Sequence, residues 1–295
     1  MMKQMINHSK VLSVLGLMLS LTACSSTDEA PAEANTDANV VRFAVQHPGG
    51  VTRATDTSFE TGDRVGVFLT DQNVPLDVAG NYVTNMPLSY DGTSWNMPQT
   101  VYWNDGTYDA YAYSPYQTPI LAVGDLPVSV ATDQRSAADY GQSDLLWAKT
   151  AGVSAGNGAV NLQFSHRMSR LMIRLVKGDD YEGELPDDAE VYVHNTVVTG
   201  TFDLRAGYAT CDTHASGATI HARPLGNHRY TALVIPQRLD NRVPLVEVVM
   251  KGVSYLYESK FLFKPGIQHN VLLAVSHNPE QVKIQVGGEI ENWSE

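Results

Sequence analysis

Apolar and polar residues alternate along most of this chain with the period of two that marks half-buried β-strands. The run RVGVFLT at 64–70 sets Val65, Val67 and Leu69 against Arg64, Gly66 and Phe68. Residues 101–113, VYWNDGTYDAYAY, hold two aromatic-rich runs around the turn-forming Asn104, Asp105 and Gly106, which predicts a hairpin. LPVSVA at 126–131 and DLLWAK at 144–149 continue the pattern. TAGVSAGNGA at 150–159 breaks it and reads as an interdomain linker, being rich in residues that do not pack.

Alternation resumes at Val160, Leu162, Phe164 and His166. The stretch SHRMSRLMIRLVK fits both periods: Met168, Leu171, Met172 and Leu175 recur at helical spacing, whereas Leu171, Ile173 and Leu175 alternate. Its flanks alternate, so it is assigned as a strand with a phase slip near Ser169. Further strands follow at 189–198, 200–204, 230–236, 244–259 with a turn at Lys251-Gly252, 269–275 and 282–286. DQRSAADY at 133–140 is the one segment that predicts a short helix. Short strands separated by Gly, Pro and Asn indicate β-sandwiches. About 255 residues from 40 to 295 match the length of two domains. The expected fold is therefore all-β, two β-sandwich domains in tandem, at 40–152 and 160–295.

The N-terminus adds a compartment. Lys3 and Lys10 precede the apolar run 11–21, which is shorter than the roughly 20 residues of a membrane span and has the make-up of a signal-peptide core. It ends in Leu21-Thr22-Ala23-Cys24, a sequence that resembles the bacterial lipobox, in which the cysteine receives lipid. Residues 1–23 are then the leader, and Cys24 anchors the mature chain to a membrane. With Cys24 lipidated, Cys211 is the only other cysteine, so no intrachain disulfide can form. Residues 25–39 carry four acids, no base and no aromatic residue, which makes 24–39 a disordered tether. Asp28 and Glu29 resemble the acidic export signal of surface lipoproteins in the Bacteroidetes. The formal charge is −12, and loss of the leader's two lysines takes the mature chain to 18 bases against 32 acids. No basic footprint for nucleic acid is visible.

Catalytic and metal patterns come out negative. Gly152-Val-Ser154-Ala-Gly156 matches the spacing of a nucleophile elbow but is followed by a glycine and a strand rather than a helix. Cys211, His214 and His221 lack a second ligand pair. His166, between Phe164 and Met168, reads as a hydrogen-bonded sandwich histidine rather than a base, since no nucleophile or paired carboxylate can be assigned to it. Trp95, Tyr102, Trp103, Tyr111, Tyr113 and Tyr116 could stack on sugars, although their alternation assigns most of them to the core. The chain is expected to use no cofactor and no metal and not to be an enzyme.

An ordered set of segments carries a family resemblance: TRATDTSFETGDRVGVF (52–68), YDAYAYSPY (108–116), DLLWA (144–148), LQFSHRMSRLMIRL (162–175), YTALVIPQ (230–237), FKPGIQHNVLL (263–273) and GEIENW (288–293). Together these resemble the fimbrillin family of Bacteroidetes, in particular the Mfa-like fimbrillins. The resemblance implies transthyretin-like sandwiches, export as a lipoprotein to the outer membrane and cell surface, and assembly into type V fimbriae that serve adhesion to a host protein or glycan. In the family, an arginine-specific protease removes the first strand and a neighbouring fimbrillin subunit fills the groove by strand exchange.

That implication falls on the N-terminal segment of the folded body. Val40, Val41, Phe43 and Val45 form the removable strand, and His47 to Thr52 an exposed loop suited to nicking. The Arg53-Ala54 bond is the expected processing site; Arg42 lies inside the strand, where paired backbone resists cleavage. Segment 282–295 is either a donor strand or part of its own sandwich, and the second case makes the protein a tip or accessory subunit. Two alternatives stand beside this reading: a membrane-retained anchor, and a monomeric surface lipoprotein that binds glycan.

Overall fold

The structure, a computed structural model, describes residues 39–48, 58–277, 283–291 and 293. All of them belong to one compact unit, Asp37–Glu295. Among the described residues the architecture is strands throughout, apart from one short helix.

A six-stranded antiparallel sheet forms the centre of the N-terminal half. It comprises β2 (Arg64–Asp71), β3 (Val83–Tyr90), β4 (Trp95–Asn96), β5 (Tyr108–Ser114), β7 (Leu146–Val153) and β9 (Ser165–His166), in the order β4-β3-β2-β5-β7-β9. Both of its faces are covered. Val65, Val67, Leu69, Ala110, Ala112 and Ala148 face one core; Phe68, Tyr111 and Tyr113, one residue out of phase, face another. Alternation therefore sorts these strands between two interiors rather than between core and water. Gly66 is required where the sheet passes the Tyr113 ring, because a Cβ there would lie 2.2 Å from Tyr113 Cε1.

Across the first core from this sheet lie β1 (Phe43–Gln46) and β8 (Val160–Gln163), paired in parallel from Phe43 opposite Val160 to Gln46 opposite Gln163. The second core is shared with the C-terminal half. There a five-stranded sheet, β15 (Arg223–Gly226), β16 (Arg229–Val234), β10 (Ser169–Lys177), β19 (Ile267–Val275) and β20 (Lys283–Glu291), contributes Leu171, Ile173, Ala232, Val234 and Leu273. A four-stranded sheet, β14 (Ala218–His221), β11 (Glu190–Thr196), β17 (Gln237–Met250) and β18 (Val253–Phe263), contributes Val191, Val193, Ile220 and Val248. The expected turn between β17 and β18 is present, with Lys251 and Gly252 at φ 51° and 76°, the left-handed pair of a type I′ hairpin.

The halves are joined by more than a shared core. The connection from β5 to β7 leaves its own sheet: β6 (Leu126–Ser129) pairs with β12 (Thr199–Asp203), which pairs with β13 (Tyr208–Cys211). Next comes α1 (Ala137–Gln142), capped by Ser136, whose hydroxyl accepts the Asp139 N–H. Buried Gln134 acts as an extra backbone unit, accepting the Leu233 N–H at 2.7 Å and donating to the Leu233 carbonyl at 2.8 Å.

Two local expectations need correction, the linker with its domain boundary and the 101–113 hairpin. Segment 150–159 is not a linker between domains, because Thr150–Val153 belongs to β7 and the following turn leads into β8, both on the first core. β8 and β9 thus belong with the N-terminal sheets, and the boundary expected between 152 and 160 falls inside that half. Small residues there serve a turn, not a hinge. The strand through 165–177 breaks at Arg167-Met168, the expected slip, and passes from the N-terminal sheet to the C-terminal one at that point. Residues 101–113 do not form a hairpin: β5 pairs with β2 and β7, while 101–103 crosses to the opposite layer. Trp103 and Tyr108 both enter the first core, with ring centroids 5.8 Å apart, so the Asn-Asp-Gly turn arches over the core instead of closing a ladder.

Candidate functional site

The N-terminal segment sits in a two-sided cradle. On one side, Val41 N–H donates to the Val101 carbonyl at 2.8 Å, Trp103 N–H donates to Asn39 at 2.8 Å, and Val40 bridges antiparallel to Tyr102. On the other, Val160 N–H donates to Arg42 at 2.7 Å and Phe164 N–H to Gln46 at 3.0 Å, flanking the parallel ladder with β8. Val41 is fully buried, and Phe43 and Val45, each two residues on, are half-buried against the same core. Full burial of a valine is worth roughly 1.5–3 kcal/mol. Were this segment absent, the Val101 carbonyl and the Trp103, Val160 and Phe164 N–H groups would lose their partners over an opened apolar floor.

The segment ends among aromatic rings. His47 meets Phe59 edge-on at 5.1 Å, and Phe59 in turn meets Trp95 at 4.9 Å and Phe164 at 5.7 Å. The chain's departure near His47 and its return at Phe59 are thereby held side by side, whatever the intervening residues do. Arg53 and Ala54, the expected processing pair, lie in that interval and outside the described residues, as does Cys24.

His47 also approaches His166, ring centroids 5.9 Å apart. His166 is buried, bonded through Nδ1 to the Asp144 carboxylate at 2.9 Å, and covered by Trp293. The carboxylate partner, 22 residues earlier, was not identifiable from spacing.

The other sequence candidates are not brought together. Cys211 is half-buried in β13, its thiol pushed up by desolvation; His214 is exposed beside Asp212; His221 lies on β14 next to Tyr192. Ser154 is in a turn with no helix after it. Of the aromatic set, Trp103, Tyr111 and Tyr113 are core, Trp95 and Tyr116 are half-buried, and Tyr102 is exposed. What the sequence reading missed is the 101–103 wall. Its signal was present in the apolar Val101 and Trp103 flanking Tyr102, but the adjacent turn suggested a different partner.

The cradle's chemistry is that of backbone pairing and apolar burial. Any extended segment with apolar side chains at alternate positions could meet its requirements.

A family model described as fimbrillin-like matches residues 52–293. A curated fimbrium tip subunit of Bacteroides ovatus is 30% identical over 143 residues, covering 42% of this chain and 26% of that protein, so the match spans about a quarter of the relative's length. Two solved structures share the fold. One, described as a cell adhesion protein from Bacteroides ovatus, superposes with a TM-score of 0.68 at 18% identity, covering 85% of this chain and 96% of that one. The other, a similarly described protein from Bacteroides uniformis, gives 0.65 at 19% identity, covering 86% and 98%.

Proposed function

The chain belongs to the fimbrillin-like family, and on that premise we propose that it is a structural subunit of cell-surface fimbriae, at a tip or accessory position, serving adhesion. It is exported as a lipoprotein on Cys24, an arginine-specific protease cuts the Arg53-Ala54 bond, the segment carrying Val40, Val41, Phe43 and Val45 leaves, and a strand from another fimbrillin subunit takes its place.

The observation that carries this reading is the cradle. A short segment next to the connection that holds Arg53 is paired on both sides and contributes alternate side chains to a core it does not otherwise build. Its replacement by another extended chain restores the same bonds, which is why strand exchange, and not simple loss, is the outcome. The family match beginning at residue 52, within the connection after β1, supports the same division. The tip or accessory position is supported by β20, which lies on the edge of its own sheet against β19 and so is engaged in its own sandwich.

The test is the N-terminal residue of the protein recovered from surface filaments. Ala54 is expected. Recovery of assembled subunits that all retain lipidated Cys24 would overturn processing and leave the anchor as the better reading.

A further inference from the structure

A groove of about 600 Å³ opens beside the end of β1, within the roughly 300–1,000 Å³ of small-molecule sites. Four stretches wall it: His47, the returning chain from Ser58 to Arg64, the turn Ser114–Tyr116 and α1 with Asp144. Phe59, Tyr140 and Leu146 supply apolar lining.

The polar lining holds charges that are not paired with one another. Arg64 lies over the Tyr116 ring, its guanidinium carbon 4.5 Å from the centroid. Stacking of this kind fixes a guanidinium's direction while leaving its N–H donors available. The Glu60 carboxylate lines the same groove, yet among the described residues neither Glu60 nor Arg64 has an ion-pair partner. The side chains of Ser58, Ser114 and Gln142 likewise make no hydrogen bond to described residues.

These groups select a ligand class by charge and by hydrogen-bond type. An anion would face the carboxylates of Glu60, Asp63 and Asp144; a cation would face Arg64. A neutral polyol satisfies both, because each hydroxyl donates to a carboxylate or amide oxygen and accepts from a guanidinium or amide N–H. The apolar C–H groups of a sugar in turn suit the half-buried Phe59 side chain in the lining. We infer that this groove is a binding site for a short neutral oligosaccharide, oriented by Arg64, Glu60 and Gln142. The inference goes beyond fimbrial assembly and concerns the uncut chain, in which His47 still walls one side of the groove.

Calorimetric titration of the full chain with maltotriose and with N-acetylated chitotriose tests it, with 3′-sialyllactose and the de-acetylated glucosamine trimer as the anionic and cationic counterparts. At least one neutral trisaccharide is expected to bind at about millimolar Kd or tighter. Glu60→Ala and Gln142→Ala should each weaken that binding at least tenfold with the melting temperature unchanged, both side chains being exposed. Failure of both neutral probes to bind, affinity unchanged in both variants, or tighter binding of either charged trisaccharide would overturn the inference. None of these outcomes bears on whether the Arg53-Ala54 bond is cut.

Discussion

The indole of Trp293 lies flat on the imidazole of His166, ring centroids 4.1 Å apart and planes 15° from parallel. The two side chains are 3% and 2% exposed. His166 belongs to β9 at the edge of the N-terminal sheet, and Trp293 follows β20 at the edge of the C-terminal five-stranded sheet. One ring contact therefore binds the end of one sheet system to the last strand of the other, and Asp144 fixes the imidazole that receives it.

Trp293→Ala should cost about 3–5 kcal/mol, the usual range for removing a buried tryptophan, and should speed hydrogen exchange of the amides in Lys283–Glu291. Urea unfolding and exchange mass spectrometry read the two effects. A loss below about 1 kcal/mol with unchanged exchange would mean that the indole does not hold β20.

Stability should fall in mild acid through His269. Burial holds its imidazole below the ordinary value of 6.5, with Lys264 adding to the effect and Glu289 opposing it. Its Nε2 accepts the Lys264 backbone N–H at 3.2 Å, a role open only to the neutral ring. The unfolded chain gains a proton near 6.5 where the folded chain does not, so this contribution is fully present above that pH and lost as pH falls toward the folded value. His221 is shifted in the same direction, chiefly by desolvation. His269→Gln should reduce, not abolish, the acid slope of urea midpoints between about pH 5 and 8; an unchanged slope would assign the effect elsewhere.

Gly207→Ala should destabilise by about 1–3 kcal/mol. Gly207 has φ 74°, and a Cβ there would lie 2.8 Å from the Trp147 ring. That ring cannot retreat, since its Nε1 donates to the Leu204 carbonyl at 2.8 Å and Arg167 stacks on it at 4.5 Å. Gly156→Ala is the control, with φ 85° and nothing within 4 Å. Thermal melts should show the larger loss at 207; equal losses would reduce the effect to backbone conformation alone.

Val41→Ala tests the cradle. Two methyl groups lost from a fully buried position should cost about 2 kcal/mol. Once the connection after β1 is cut with trypsin, the variant's N-terminal fragment should leave about tenfold faster or more, as that energy difference implies. Size-exclusion chromatography with mass detection measures the release. Equal release rates in the two proteins would show that Val41 does not retain the segment.

Local pattern determined the strands. RVGVFLT, YDAYAY, DLLWA and the Lys251-Gly252 turn could be placed from residue type and spacing, because a two-residue period and a left-handed turn pair are properties of the chain over a few residues. The all-β class and the apolar alternation of Val41, Phe43 and Val45 follow from the same short-range signal.

Partner choice was not legible there. A half-buried strand and a strand between two cores share one alternation, so only tertiary packing shows that Phe68 and Val67 face different interiors. The same limit made Val101–Trp103 look like half of a hairpin when its partner is Asn39–Val41, and turned β8 into the start of a second domain when its partner is β1. The pairings of Asp144 with His166, His166 with Trp293 and Arg64 with Tyr116 join residues whose separations follow no motif. Sequence by itself determined which segments are strands and which of their side chains are apolar. Only the folded chain decided what each strand pairs with and which polar groups are left without a partner, because backbone hydrogen bonds between distant segments carry no record of their partner in the residues that make them.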